Sequence, residues 1–110
     1  MAGVVRRGGI VWADLPEPIG RRPVCVLTRD AAIPVLASLV CATITRTPRG
    51  TPTEVGVGSE HGLPAGSVIN CDNLVTVSAS RLDPEAAGHL DFWTRLEVDR
   101  TLAYSLDIRS

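Results

Sequence analysis

Apolar and β-branched residues occur in short runs along this chain, with glycine, proline and polar residues between the runs. Runs of this kind are typical of β-strands. Residues 53–57 alternate between polar and apolar, as in a strand with one exposed face, whereas 24–28 is almost continuously apolar, as in a strand covered on both faces. The predicted strands are 10–15, 24–28, 39–45, 53–57, 67–73 and 75–77.

Only the C-terminal part of the chain has a helical period. Asp91 is a good N-cap residue, and the apolar stripe behind it predicts a helix over 92–106 that packs against the core. Short strands followed by one helix predict a mainly β fold, a small and strongly bent barrel that limits open strand edges. The residues of the stripe are Phe92, Leu96, Ala103 and Leu106.

With 110 residues, 45% of them hydrophobic, the chain suits one core, so 1–110 is predicted to be a single domain. Its apolar runs fall short of the roughly 20 residues that a membrane span needs, and no signal-peptide core follows the first arginines. Cys25, Cys41 and Cys71 lack the spacing of a zinc site, which predicts buried thiols in a reducing compartment. We therefore expect a cytoplasmic protein without a metal or a membrane segment.

The arginines are distributed unevenly. The formal net charge is -1, yet residues 21–50 carry five arginines against one acid, while 51–110 carry nine acids against four arginines. A local cationic patch of this kind suits a polyanion. No lysine occurs, which fits bidentate phosphate binding, although a genome rich in G and C gives the same bias.

The most informative segment is the polar, proline-bearing loop 16–22, which leads into the second predicted strand. Pro23 lacks an N–H group and has a fixed φ, so it suits a first strand position and favours an extended backbone at Arg22. A guanidinium held at the mouth of a strand is suited to bind phosphate. The alternative is a solvated arginine beside a turn.

Four segments give this sequence a recognisable order: RGGIVW from Arg7, GRRPVCVL from Gly20, ATIT from Ala42 and SVINCDN from Ser67. In order and spacing they resemble the MazF/PemK ribonuclease toxins of type II toxin-antitoxin systems, over about residues 6–106. The resemblance implies an SH3-like barrel that forms a homodimer and cleaves single-stranded RNA at short sequences without a metal or other cofactor. It also implies inhibition by a cognate, MazE-like antitoxin.

The same resemblance implies roles for three residues. Arg22 matches the arginine that heads the second strand and acts at the scissile phosphate, and Thr45 matches the threonine that binds a phosphate oxygen. Asp72 matches an acid that some members use as a base; without the resemblance, it would be interpreted as a turn residue. Those members have an arginine two positions before the acid, where this chain has Asn70.

RNA can be cleaved by its own 2'-hydroxyl, so the protein needs only to position the groups, accept a proton and stabilise the charge. We expect Arg22 and Thr45 to hold the non-bridging oxygens and Asp72 to accept the proton, which gives 2',3'-cyclic phosphate and 5'-hydroxyl ends. Aromatic residues make up only 4% of the chain, so base reading is assigned to polar groups. The predicted RNA-contacting residues are Glu17, Arg21, Arg46, Arg49, Asn70 and Asn73.

Two other functions compete with this interpretation. A CcdB-like toxin that binds gyrase needs no phosphate-binding site. The predicted pair of phosphate ligands, Arg22 and Thr45, therefore argues against this function. A non-catalytic SH3-like binding module usually presents an aromatic groove, and two tryptophans, one tyrosine and one phenylalanine are too few to build one easily. A basic groove further predicts an antitoxin with an acidic, partly disordered tail that competes with RNA.

Overall fold

The computed structural model describes residues 5–83, 85 and 88–109. The elements are β1 (Gly9–Leu15), β2 (Gly20–Val26), β3 (Ser38–Thr45), β4 (Glu54–Val57), β5 (Ser67–Ser78), β6 (Gly88–His89) and α1 (Phe92–Ser105). The strands form one sheet with antiparallel pairing and the spatial order β4-β5-β3-β2-β1-β6, which curls into a half-barrel beside α1. Across the described residues, no helix is long and apolar enough to span a membrane.

β2 begins earlier than the sequence predicts. Gly20 pairs with the last residue of β1, so only 16–19 form the connecting turn. Arg21 and Arg22 are therefore part of the strand, and Arg22 pairs with Ala13 of β1. The prediction that Arg22 stands at the strand mouth is wrong, because pairing with β1 extends the ladder through residues whose local sequence is typical of a loop.

β5 is one strand where the sequence predicts two. Its register against β3 shifts, since Thr43 pairs with Asn70 whereas the preceding residue of β3 pairs with Leu74. The residues between, 71–73, form a bulge. β5 does not end at this bulge but continues through it. The bulge places polar side chains at the end of the sheet.

Both faces of the sheet bury apolar side chains. On one face, α1 packs Val98 and Leu102 against the middle strands. On the other face, a second cluster includes Val24, Leu39 and Cys41. Consecutive residues of β2 are consequently 0% exposed, which agrees with the prediction of a strand covered on both faces.

α1 begins behind Asp91 as predicted, but a different side of the helix is buried. Phe92 and Leu106 of the predicted stripe are 68% and 52% exposed, whereas Val98 is 2% exposed. Asp99 lies within the stripe and forms an ion pair with Arg7 at 2.8 Å. A charged residue in the middle of the stripe fixes that side at the surface, so the neighbouring side faces the sheet.

A buried histidine connects the start of α1 to the segment before β5. His61 is 4% exposed, and its Nδ1 accepts the N–H of Gly58 at 3.2 Å. The ring proton is therefore on Nε2, which donates to Asp91 Oδ1 at 2.8 Å. Asp91 also accepts the hydroxyl of Thr94 at 2.6 Å and its N–H at 3.2 Å. The Thr94 hydroxyl first, and His61 second, hold the pKa of Asp91 well below its ordinary value.

This lowered pKa predicts a stability that depends on Asp91 in acid. The ionised carboxylate stabilises the fold above its ordinary pKa of 3.8, and the contribution is lost as the pH falls below that value. Between about pH 5 and pH 3, the free energy of unfolding should therefore decrease less in Asp91→Asn than in the wild type. Urea unfolding at both pH values measures the difference, and equal decreases would contradict the assignment.

The three cysteines are buried and unpaired, as predicted. Burial raises the pKa of Cys25 and Cys41 to about 12 and that of Cys71 to about 11. All three thiols are therefore protonated at neutral pH, and their contribution is apolar packing.

Candidate functional site

A groove of about 600 Å³ lies at the end of the sheet, among β2, β3, β4 and β5. Thr43 and Thr45 line it, and by strand alternation they continue the side of β3 on which Leu39 and Cys41 are buried. The groove thus begins where that apolar cluster gives way to polar residues. Its lining is Leu15, Ile19, Arg22, Thr43, Ile44, Thr45, Thr47, Arg49, Glu54, Asn70, Asp72, Asn73 and Val75.

Arg22 and Thr45 lie just beyond the paired part of β2 and β3. The ladder between these strands ends at Val24, which pairs with Thr43, and Arg22 and Thr45 follow at the same end, each two residues away from that pair. By strand alternation their side chains are on the same faces of their strands as those of Val24 and Thr43, and both residues line the groove. The two predicted phosphate ligands therefore face the same groove.

Both side chains keep donors available for a ligand. Arg22 Nε donates to the carbonyl of Ile19 at 3.4 Å, and within the described part of the chain the guanidinium forms no ion pair with a carboxylate. Thr45 Oγ1 accepts the N–H of Thr47 at 3.1 Å, which leaves its hydroxyl proton to donate elsewhere. Each group can therefore donate to an oxygen of a phosphate bound in the groove.

Asp72 is held by two hydroxyl groups. Thr53 Oγ1 donates to its Oδ2 at 2.6 Å, and Ser105 Oγ donates to its Oδ1 at 2.7 Å. These bonds, that of Thr53 first, lower the pKa of Asp72. The carboxylate is ionised at neutral pH and is a weaker proton acceptor than an ordinary aspartate. Sequence reasoning missed both partners because they are 19 and 33 residues away.

Glu54 organises the loop that carries Arg49. Its carboxylate accepts the backbone N–H groups of Arg49 at 3.0 Å, Gly50 at 2.8 Å and Thr51 at 3.3 Å. These bonds, that of Arg49 first, lower the pKa of Glu54. The alternating pattern of 53–57 predicts only a strand at Glu54. The signal that could have identified its role is an acid a few residues after a glycine-bearing turn.

Arg21 lies on the opposite side of β2 from Arg22. It donates to Asp83 at 2.8 Å and lies 3.6 Å from Asp14, and its guanidinium carbon is 5.6 Å from the ring centroid of Trp12. Asp83 is the main reason that the pKa of Arg21 is raised. Its role in the structure is therefore an ion pair and a cation–π contact, away from the groove.

The structure brings together six of the nine predicted site residues: Arg22, Thr45, Arg49, Asn70, Asp72 and Asn73. The other three, Glu17, Arg21 and Arg46, do not line the groove. The lining carries two arginines and two carboxylates, so it is less basic than the arginine-rich segment predicts. Among the described residues, no group of three His, Cys, Asp or Glu side chains could hold a metal ion.

A family model for PemK-like, MazF-like toxins of type II toxin-antitoxin systems matches residues 6–106. The chain belongs to this toxin family. This match confirms the resemblance inferred from the four sequence segments, and it covers the same residues of this MazF-like toxin.

Curated relatives agree with the family match. The chain is 43% identical over 84 residues to the probable endoribonuclease MazF5 of Mycobacterium tuberculosis, covering 74% of this chain and 75% of the relative. It is 33% identical over 114 residues to endoribonuclease MazF6 of the same species, covering 96% and 99%. The predicted class of enzyme, an endoribonuclease, is confirmed.

Solved structures resemble the MazF-like toxin along almost its whole length. The Mycobacterium tuberculosis toxin MazF-mt6 superposes with a TM-score of 0.85 at 32% identity, covering 93% of this chain and 99% of that one. A mycobacterial endoribonuclease in complex with its cognate antitoxin also gives 0.85, at 25% identity, covering 97% and 99%. The predicted fold class, a small barrel of the MazF type with a C-terminal helix, is confirmed.

Proposed function

We propose that this toxin cleaves single-stranded RNA at short sequences in the groove, by attack of the 2'-hydroxyl of the RNA and without a metal or other cofactor. The observation that carries the proposal is that Arg22 and Thr45 line the same groove, each with a donor available for a phosphate oxygen. The family match and the endoribonucleases among the relatives favour this function over a gyrase-binding toxin or a non-catalytic binding module.

The proposed reaction needs few groups. Arg22 and the Thr45 hydroxyl donate to the two non-bridging oxygens and stabilise the charge that develops there. Each oxygen of Asp72 retains a lone pair, and one of them accepts the proton of the attacking 2'-hydroxyl. The 2'-oxygen bonds to phosphorus, the bond to the 5'-oxygen breaks, and water protonates that oxygen. The products are a 2',3'-cyclic phosphate and a 5'-hydroxyl.

The remaining groove residues bind the rest of the substrate. Arg49, on the loop held by Glu54, contacts a neighbouring phosphate, where its charge attracts RNA without regard to sequence. Asn70 and Asn73 contact bases, which single-stranded RNA exposes for hydrogen bonding.

We further propose that residues 1–110 act as one toxin domain, in a cytoplasmic homodimer that a cognate MazE-like antitoxin inhibits. An acidic antitoxin tail would lie across the groove and compete with RNA for Arg22 and Arg49. The similar mycobacterial endoribonuclease, whose structure was solved in complex with its cognate antitoxin, supports this proposal.

The end chemistry of the products tests the proposed reaction. Purified toxin should cut a long unstructured RNA equally well in EDTA and in Mg²⁺, at one recurring motif, and leave 5'-hydroxyl ends. The matched control is the same RNA with a single 2'-deoxynucleotide on the 5' side of the cut, which lacks the attacking hydroxyl and should resist. Cutting of this control, or 5'-phosphate ends, would contradict the proposal.

A further inference from the structure

Asn70 occupies a position in the groove that fixes the orientation of its amide. It pairs with Thr43 on one side and Glu54 on the other, and its side chain lines the groove. Its Oδ1 accepts the N–H of Asp72 at 2.9 Å. A backbone N–H can only donate, so the atom that faces it is the amide oxygen. The NH₂ group is on the other side of the amide, directed away from the backbone of the bulge.

The bulge that supplies this N–H is itself anchored. Asp72 accepts hydroxyls from Thr53 and Ser105, and Ser105 Oγ also lies 2.9 Å from the carbonyl oxygen of Cys71. The last turn of α1 and the buried Thr53, 5% exposed, therefore hold the bulge from two directions. The oxygen of Asn70 is consequently engaged before any ligand arrives.

We propose that Asn70 reads one base through its NH₂ group and selects an oxo group, at C6 of guanine or C4 of uracil, over the amino group of adenine or cytosine. The inference rests on the proposed function. An NH₂ group donates to the O6 of guanine or the O4 of uracil, the positions at which adenine and cytosine carry amino groups. The paired contact of asparagine with adenine uses both halves of the amide, and here the oxygen is turned toward Asp72. An amino group on the base would face the NH₂ group of Asn70, and because both groups are donors, no hydrogen bond could form between them.

A random RNA pool tests this selection in two ways: the cut ends are sequenced, and so is the RNA retained by immobilised toxin. Asn70→Asp keeps an oxygen for the Asp72 N–H but replaces the NH₂ group with an acceptor. At one position of the motif, the preference should change from G or U to A or C, with the ratio shifting about tenfold or more.

Asn73→Asp is the matched control. It makes the same change of charge three residues further along β5, within the bulge, at a side chain that also lines the groove. It should lower total binding, because a carboxylate repels RNA, and leave the G or U preference at the Asn70 position. Asn70→Leu adds no charge and has no donor, so it should flatten the preference at that position. Thermal unfolding verifies that each variant is folded.

The two readouts separate this inference from the proposed cleavage. If the RNA retained by wild type shows a G or U preference and Asn70→Asp abolishes it, the inference is supported, even where wild type cuts no RNA. Absence of cutting by wild type would instead contradict the proposed cleavage. Wild-type preferences that persist at every position in Asn70→Asp and Asn70→Leu overturn the inference. Cutting or retention by wild type with no base preference overturns it as well.

Discussion

Replacing Arg22 with alanine should lower the rate of RNA cleavage by about 10²- to 10³-fold, the effect of removing one preorganised donor from a developing oxyanion. The expectation follows from the position of Arg22 in the groove that Thr45 also lines, and from its guanidinium, whose only bond within the described residues is to a carbonyl at 3.4 Å. Single-turnover cleavage at saturating RNA measures the effect on the chemical step.

Arg21→Ala is the matched control for this experiment. It removes the same charge from the next residue, whose side chain is on the opposite face and is engaged by Asp83 and Trp12. It should cleave at a rate close to that of the wild type, with a small loss of stability from the broken contacts. Similar rates in the two folded variants would show that Arg22 contributes only general positive charge.

His61→Ala should lower the free energy of unfolding by about 2–4 kcal/mol, because it empties a buried site and leaves a buried N–H without its acceptor. That N–H belongs to Gly58, which is buried with the ring. The substitution also removes the bond from the imidazole to the residue that caps α1. Urea unfolding at pH 7 measures the loss.

The other histidine of the chain supplies the control. His89 is exposed, and within the described residues the only hydrogen bond of its side chain is to the neighbouring carbonyl, so His89→Ala should change the free energy of unfolding by no more than about 0.5 kcal/mol. Below its unfolding temperature, His61→Ala should cleave RNA like the wild type, because His61 does not line the groove. Equal losses of stability in the two variants would contradict the structural role of His61.

The alternation of apolar and polar residues located the strands because it reflects burial of one or both strand faces. It could not identify partners across the sheet. Gly20, Arg21 and Arg22 have the local composition of a loop, and only pairing with β1 makes them a strand. For the same reason the sequence predicts two strands, 67–73 and 75–77, where the structure has one strand with a bulge at 71–73, since a bulge exists only relative to its partner.

The sequence predicts those residues of the candidate site whose chemistry depends on one residue type at a recognisable position in a motif. Arg22, Thr45 and Asp72 were identified from the family resemblance, and the structure gathers them around one groove. The contacts that set their properties join distant segments: Thr53 and Ser105 lower the pKa of Asp72 across 19 and 33 residues. Strand alternation was sufficient to separate Arg21 from Arg22, but only once both were known to lie within one strand.

Arg22, Thr43 and Thr45 extend the sheet beyond its second apolar cluster, and they are absent from the buried core. An occupant of the groove can therefore arrive and leave without repacking the interior. For the antitoxin proposed to lie across the groove, this has a consequence in time: the inhibited molecules would be a store of folded enzyme. Their activity would return as fast as the inhibitor dissociates, with no folding step in between.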